Sequence, residues 1–285
     1  MNKLILSLAL IISFSTFAQT KDAYKIYKIN GKKTSYRKLL KECKKADIVF
    51  FGEEHDNPVA HWLELALTKD LYKKAEKPLI LAAEMLETDN QKQVDLYLKD
   101  SIDYKAFKKE ARLWPNFKTD YKPLLDFAKE HHIPFIASNI PRRYASKVYH
   151  GGFKVLDSLP ANEKQWIAPL PIKYDGNLSQ YQKMMAMMGG HGGDKLPKAQ
   201  AIKDATMAYN ILKNYKKGSL LIHYNGSFHS NVHQGIIWYI RLTRPDLKIV
   251  TITVESHENV KKLDQKHKGK ADFIIATDQD FPASY

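Results

Sequence analysis

The segment Ile48-Val49-Phe50-Phe51-Gly52-Glu53-Glu54-His55 decides the fold of this chain. Its four apolar residues predict a buried strand, and a glycine with ionisable side chains follows at the point where that strand should end. The arrangement recurs later, because the apolar run Leu220–Tyr224 precedes Asn225-Gly226-Ser227-Phe228-His229. α/β proteins build their sites in this way, at the carboxyl ends of their strands.

Short β-branched or apolar runs alternate with stretches of helical periodicity along most of the chain. The predicted strands are Ile48–Phe51, Leu79–Ala83, Pro134–Ser138, Leu220–Tyr224, Ile249–Val254 and Phe273–Ala276. Most are apolar throughout, which is typical of parallel strands covered by helices on both faces. The sequence therefore predicts an α/β fold with a mostly parallel central sheet flanked by helices. Residues 151–198, rich in proline, glycine and methionine, break the alternation and predict a helical insertion, or lid.

The N-terminus has the pattern of a secretory signal peptide, with Lys3 before an apolar run that ends in Thr16-Phe17-Ala18. We expect a signal peptide over residues 1–18, a single α/β domain over 19–285 and a soluble periplasmic protein. No later stretch is long and apolar enough to predict a transmembrane helix. The one cysteine, Cys43, excludes an internal disulfide and any multi-cysteine metal site.

The chain is strongly basic, with a formal net charge of +14. The excess consists mainly of lysines spread over predicted amphipathic helices, which is typical of a solvated surface. Such a charge also attracts anionic small ligands at long range. An exported chain without a recognition helix or an aromatic-basic platform is not expected to bind nucleic acid.

Several polar side chains follow different predicted strands and should converge at one sheet edge. Two histidines and a carboxylate with an open position are the composition of a catalytic divalent-metal site, and His55, Glu84 and His229 would supply it. Glu53 or Glu54 would then act as general base on a metal-bound water. Simpler interpretations remain open at this stage, since His55 could cap the next helix and Glu84 could form an ion pair with Arg143. Arg142 and Arg143 together suit a carboxylate or phosphate.

The motifs resemble those of the ChaN family of haem-binding, iron-regulated proteins in the Tiki superfamily. The resemblance rests on five segments in the family's order: Gly52–His61, Ala83–Met85, Ala137–Arg143, Ala199–Ala208 and Asn225–His229. It implies haem binding linked to iron acquisition, with two haems held in a homodimer. The relatives also include metal-dependent proteases with paired Gly-x-x-His motifs and a glutamate, and esterases that use the first histidine as a base. Whether this chain is an enzyme, and if so a hydrolase, is left open by the resemblance.

A haem ligand is expected from the middle of the chain. The candidates are His191, a methionine of Met184–Met188 and any of the 16 tyrosines, with Arg142 and Arg143 meeting the propionates. A methionine-rich run is also typical of adaptable core packing, so the axial ligand stays undecided.

Overall fold

The computed structural model describes residues 21–187 and 193–285, in which one sheet of eight strands is flanked by helices. The predicted signal peptide and His191 lie outside these residues. The strands are β1 (Tyr24–Lys28), β2 (Lys33–Thr34), β3 (Ile48–Glu53), β4 (Leu79–Glu87), β5 (Phe135–Asn139), β6 (Leu220–Gly226), β7 (Ile249–His257) and β8 (Phe273–Asp278). The helices are α1 (Tyr36–Cys43), α2 (Pro58–Lys74), α3 (Gln91–Leu98), α4 (Tyr104–Glu110), α5 (Phe117–Asp120), α6 (Lys122–Glu130), α7 (Arg142–Gly151), α8 (Ala161–Lys164), α9 (Ser179–Met187), α10 (Lys195–Asn214) and α11 (Ile236–Arg241).

The strand order is β2-β1-β8-β7-β3-β6-β4-β5, and the six strands from β8 to β5 are mutually parallel. This confirms the predicted α/β class and all six predicted strands. The sequence prediction missed β1 and β2, which pair antiparallel at the β8 side of the sheet. The two Gly-x-x-His strands, β3 and β6, are direct neighbours in register, with Gly52 opposite Asn225. Their polar ends therefore face one crevice.

The sheet separates two apolar layers. Phe51 packs with α1, α2 and α6, whereas its neighbour Phe50 packs with α10 and α11 on the opposite face. Both rings are essentially inaccessible to solvent, and burying each contributes roughly 2 kcal/mol. Coverage on both faces explains why most residues of the central strands are apolar and buried on both sides of the sheet.

The predicted insertion consists of short helices with small apolar clusters of their own. Tyr144 of α7 packs with Leu156 and Ile167, while Tyr181 of α9 packs with Leu178 and Ala201. The insertion leads directly into α10, the longest helix of the described residues. Among these residues, none of the helices combines the length and apolar character needed to cross a bilayer.

Candidate functional site

The carboxyl ends of the central strands open into a crevice of about 710 Å³, bounded on the other side by α9 and α10. Glu53 of β3, Glu84 of β4 and Gly226 of β6 line its floor, together with His55 and His229 in the segments that follow. The structure thus brings both Gly-x-x-His histidines and all three predicted acidic residues, Glu53, Glu54 and Glu84, to one place. All of them lie at the sheet edge that the sequence indicated.

Glu53 and His55 form a hydrogen-bonded dyad at the end of β3. Oε1 of Glu53 accepts from Nδ1 of His55 at 2.8 Å and from the Tyr121 hydroxyl at 2.7 Å. Burial alone would raise the pKa of Glu53, but the hydrogen bonds from His55 and His61 bring it below its ordinary value. A buried carboxylate with several donors is stable in its ionised form.

The dyad sets the tautomer of His55. Because Nδ1 donates its proton to Glu53, Nε2 carries the lone pair and lies beside Gly226 at the crevice wall. The ring packs edge-on against Trp114, and its side chain is 33% exposed. Burial lowers the pKa of His55, but the Glu53 hydrogen bond and the charge of Glu84 outweigh it and raise the pKa above 6.5. His55 thus presents an accessible and comparatively basic nitrogen.

Glu84, His229 and Asp204 form a second, fully buried charged group. Nε2 of His229 lies 3.0 Å from Oε1 of Glu84, and its Nδ1 lies 2.5 Å from Oδ1 of Asp204. Oε2 of Glu84 accepts the backbone N–H of Gly226 at 2.7 Å. Burial opposes the charge on His229, yet the two carboxylates raise its pKa to about 9. The ring is therefore an imidazolium at neutral pH, with both nitrogens donating.

A third network joins Glu53 to His61 and Glu64, and of these residues sequence analysis missed Glu64. Nδ1 of His61 sits between Oε2 of Glu53 at 2.9 Å and Oε2 of Glu64 at 3.6 Å. Burial and the charge of Glu53 raise the pKa of Glu64 well above its ordinary value. Its carboxylate oxygens are buried and lack hydrogen bonds among the described residues. The available sign was Glu64 itself, an acidic residue on the apolar face of α2.

The predicted metal ligands are near one another but are engaged differently. In the part of the chain that the structure describes, two groups bring three ligand atoms within 4.8 Å: Glu53 with His61 and Glu64, and His257 with Asp264 and His267. The set His55, Glu84 and His229 is not one of them. Its Glu84 and His229 instead bind each other, so a metal there would have to displace a proton from the imidazolium.

Of the two arginines that were predicted to bind an anion, only one lies at the crevice. Arg142 lines the crevice at the start of α7. Arg143 does not, since it donates to Asp89 at 2.6 Å and stacks over Tyr144 with 4.4 Å between its guanidinium carbon and the ring centre. The crevice takes further cations from Lys183, Lys203 and Lys270, which sequence analysis did not single out. The ion pair of Glu84 with Arg143, an alternative from the sequence, is not formed.

Residues 39–240 match the sequence profile of a family described as haem-binding uptake, Tiki superfamily, ChaN. The chain belongs to the ChaN family. A solved ChaN of Campylobacter jejuni, described as binding haem cofacially, is similar to this ChaN-family chain at 19% identity with a TM-score of 0.66, covering 88% of this chain and 96% of that one. A protein from Bacillus cereus is similar at 12% identity with a TM-score of 0.51, covering 85% and 90%. No curated protein matches the sequence.

The family match includes the parts of the crevice formed by β3, β4, β5, β6 and α10, but not those formed by β7. Glu255 and Lys270, which line the crevice from the β7 side, therefore lie outside the matched residues. At these identities the two solved structures establish the ChaN-like fold of the chain. The identity of its ligand has to be inferred from the residues that line the crevice.

Proposed function

We propose that the protein is exported and binds haem in the crevice as part of haem or iron acquisition. The observation that carries this proposal is a crevice of about 710 Å³ with apolar and cationic walls in a chain of the ChaN family. This volume lies in the range of cofactor pockets in general.

The residues present fit haem. Trp114, Ile140 and Phe228 offer apolar surface for a flat macrocycle. Arg142 and Lys203 stand at the same crevice and would hold the propionates by charge. Bound haem would supply an iron centre that a side chain of the crevice could ligate.

Two groups of the described crevice could donate to iron. Nε2 of His55 carries a lone pair, and the Met184 thioether lies at the lid side of the crevice. Both ring nitrogens of His229 are already engaged by carboxylates, Nε2 by Glu84 at 3.0 Å and Nδ1 by Asp204 at 2.5 Å. We therefore favour His55 or Met184 among the described residues.

Three of the five acidic residues that line the crevice are paired with cationic side chains, which weakens their repulsion of an anionic ligand. Glu84 is paired with His229, and Glu255 with Lys270 at 2.7 Å. Glu87 is held by Arg112. Arg142, Lys183 and Lys203 supply the positive charge that would attract a haem propionate.

Haemin titration followed by absorbance tests the proposal. We expect a shifted Soret band that saturates at a defined stoichiometry, with weaker binding in His55→Ala or Met184→Ala and in Arg142→Ala. His150→Ala and Arg37→Ala are matched controls at exposed positions and should bind like the wild type. A spectrum that stays that of free haemin would overturn the proposal. Sedimentation with and without haemin tests whether binding produces a homodimer.

Export is tested separately. The N-terminal sequence of protein recovered from a periplasmic fraction should begin at Gln19, the residue after the predicted signal peptide. Recovery of the intact N-terminus from the cytoplasm would contradict export and leave haem binding unaffected.

A second candidate function is hydrolysis, and the Glu53–His55 dyad favours it. Nε2 of His55 could take a proton from a water that attacks an ester or peptide carbonyl, while Glu53 stabilises the resulting imidazolium. This reaction needs no metal, whereas a metal-dependent reaction would use His55, Glu84 and His229 as ligands, and an inhibition test with EDTA separates the two. Hydrolysis of a nitrophenyl ester that resists EDTA and disappears in His55→Ala would support it. Activity retained in His55→Ala would exclude this role.

A further inference from the structure

A second polar cluster lies at the end of β7, outside the residues that match the family. It consists of His257, the last residue of β7, with Asp264 and His267 from the loop that leads to β8. One ligand atom from each lies within 4.8 Å of the other two. The two imidazole rings are 4.7 Å apart between their centres.

Hydrogen bonding has prepared His257 as a ligand. Its Nδ1 donates to the backbone carbonyl of Glu255 at 2.9 Å, which leaves the lone pair on Nε2. That Nε2 is buried and has no hydrogen-bond partner among the described residues. Metal-binding histidines usually donate their other ring nitrogen to a carbonyl or carboxylate in this way, because the bond fixes the tautomer and the ring orientation.

His267 adds two more buried nitrogens that lack a hydrogen bond in the described chain. Its Nδ1 lies 3.0 Å from Oε2 of Glu255 but without hydrogen-bond geometry. Buried polar atoms normally find partners, and three unpartnered imidazole nitrogens in one cluster need an explanation. A bound cation would satisfy Nε2 of His257 together with one of the two nitrogens of His267.

Asp264 gives the cluster a negative charge at a position that solvent can reach. It precedes the short 3-10 helix Gln265–His267, but its side chain makes no capping bond there, and it is exposed to solvent. Its nearest cation, Lys266, is 3.9 Å away, and Lys270 is neutralised by Glu255. An incoming ion can therefore meet the carboxylate first and the buried imidazoles next.

We propose that His257, Asp264 and His267 bind one divalent transition-metal ion of the zinc class. Two imidazoles and a carboxylate are ligands that Zn²⁺ takes at about 2.0–2.2 Å in tetrahedral geometry, with a fourth position for Glu255 or water. The ligand atoms now lie within 4.8 Å of one another, and tetrahedral bonds of that length space them about 3.3–3.6 Å apart, so the side chains would have to move together by up to about 1.5 Å. The ion would tie the β7–β8 loop to the end of β7.

Zinc titration by calorimetry tests the site on the full chain. We expect one binding event that His267→Gln abolishes and that the exposed change Asp264→Asn weakens at least about tenfold. Asp157→Asn, an exposed aspartate elsewhere, should bind like the wild type. His55→Ala should also retain the event, which distinguishes this site from the crevice.

Thermal unfolding gives a second readout. Zinc at a hundred times its dissociation constant should raise the melting temperature of the wild type by about 5 °C, and that of Asp264→Asn by much less at the same concentration. The proposal is overturned if the wild type binds no zinc, if Asp264→Asn and His267→Gln bind it unchanged, or if His55→Ala loses it.

Discussion

The variant Gly226→Ala should break the hydrogen bond between Glu53 and His55 without unfolding the protein. A Cβ at this position would lie 2.6 Å from Nε2 and 2.8 Å from Cε1 of His55. An ordinary contact begins at 3.4 Å, so the ring must move by about 0.8 Å. It can do so, because the atoms that clash are the far end of a side chain that is 33% exposed.

This displacement has two measurable consequences. The 2.8 Å bond from Nδ1 to Glu53 is lost or lengthened, and with it about 1.5–3 kcal/mol of charge-assisted hydrogen bonding. The pKa of His55, raised mainly by that bond against the effect of burial, should fall back toward 6.5. If His55 is a general base, a misplacement near 1 Å should reduce the rate about 100-fold.

NMR titration of the His55 imidazole, with thermal unfolding alongside, measures both effects. Gly176→Ala is the control, because its Cβ would come no closer than 3.3 Å to its nearest neighbour, the hydroxyl of Tyr174. The reasoning is refuted if the pKa of His55 is the same in Gly226→Ala as in the wild type, and if haemin binding or hydrolysis, whichever the protein performs, is also unchanged. A variant that fails to fold would instead show that the His55 ring cannot move away from the added methyl group.

Three further outcomes follow from the buried charges. In Glu84→Gln the pKa of His229 should fall from about 9 toward 6.5 by NMR. In the wild type this raised pKa stabilises the fold by about 3 kcal/mol. The stabilisation is complete below pH 6.5 and declines as the pH rises through 9. Urea unfolding of the wild type and of Glu84→Gln at several pH values measures it. His223, whose pKa burial lowers to about 4, acts oppositely: its stabilisation is complete above pH 6.5 and falls as pH drops toward 4, and His223→Gln should flatten this acid loss. Tyr121→Phe removes a 2.7 Å donor to Glu53, so the pKa of Glu53 should rise and unfolding should cost about 1–3 kcal/mol less; an unchanged melting temperature would contradict that bond.

The strands and their polar ends could be predicted because local signals determine them. A run such as Ile48–Phe51 leaves few alternatives to a buried strand. Asn57 before Pro58 is a similarly local signal, since its side chain caps the first N–H groups of α2. The edge strands β1 and β2 were missed because Tyr24–Lys28 is short and half polar. Its pairing partner β8 is more than 240 residues away, a distance at which local patterns carry no information.

The partners of the crevice residues could not be predicted for a related reason. Asp204 reaches His229 from α10, and Tyr121 reaches Glu53 from the loop before α6. Each pair is remote in sequence and is brought together by packing. Asp204 among the alanines of α10 was a usable sign, since an isolated carboxylate on an apolar helix face requires a partner.

The positions of β7 and β8 in the sheet determine which fragments of the chain can be expressed in a folded form. The residues that match the family end at 240, whereas β7 lies between β3 and β8 in the middle of the sheet. A fragment limited to residues 39–240 would lack four of the eight strands and would leave the backbone of Ile48–Gly52 unpaired on the side that β7 now covers. An exposed edge of apolar strand promotes aggregation. Expression of the chain for any of these experiments should therefore retain the sequence through β8.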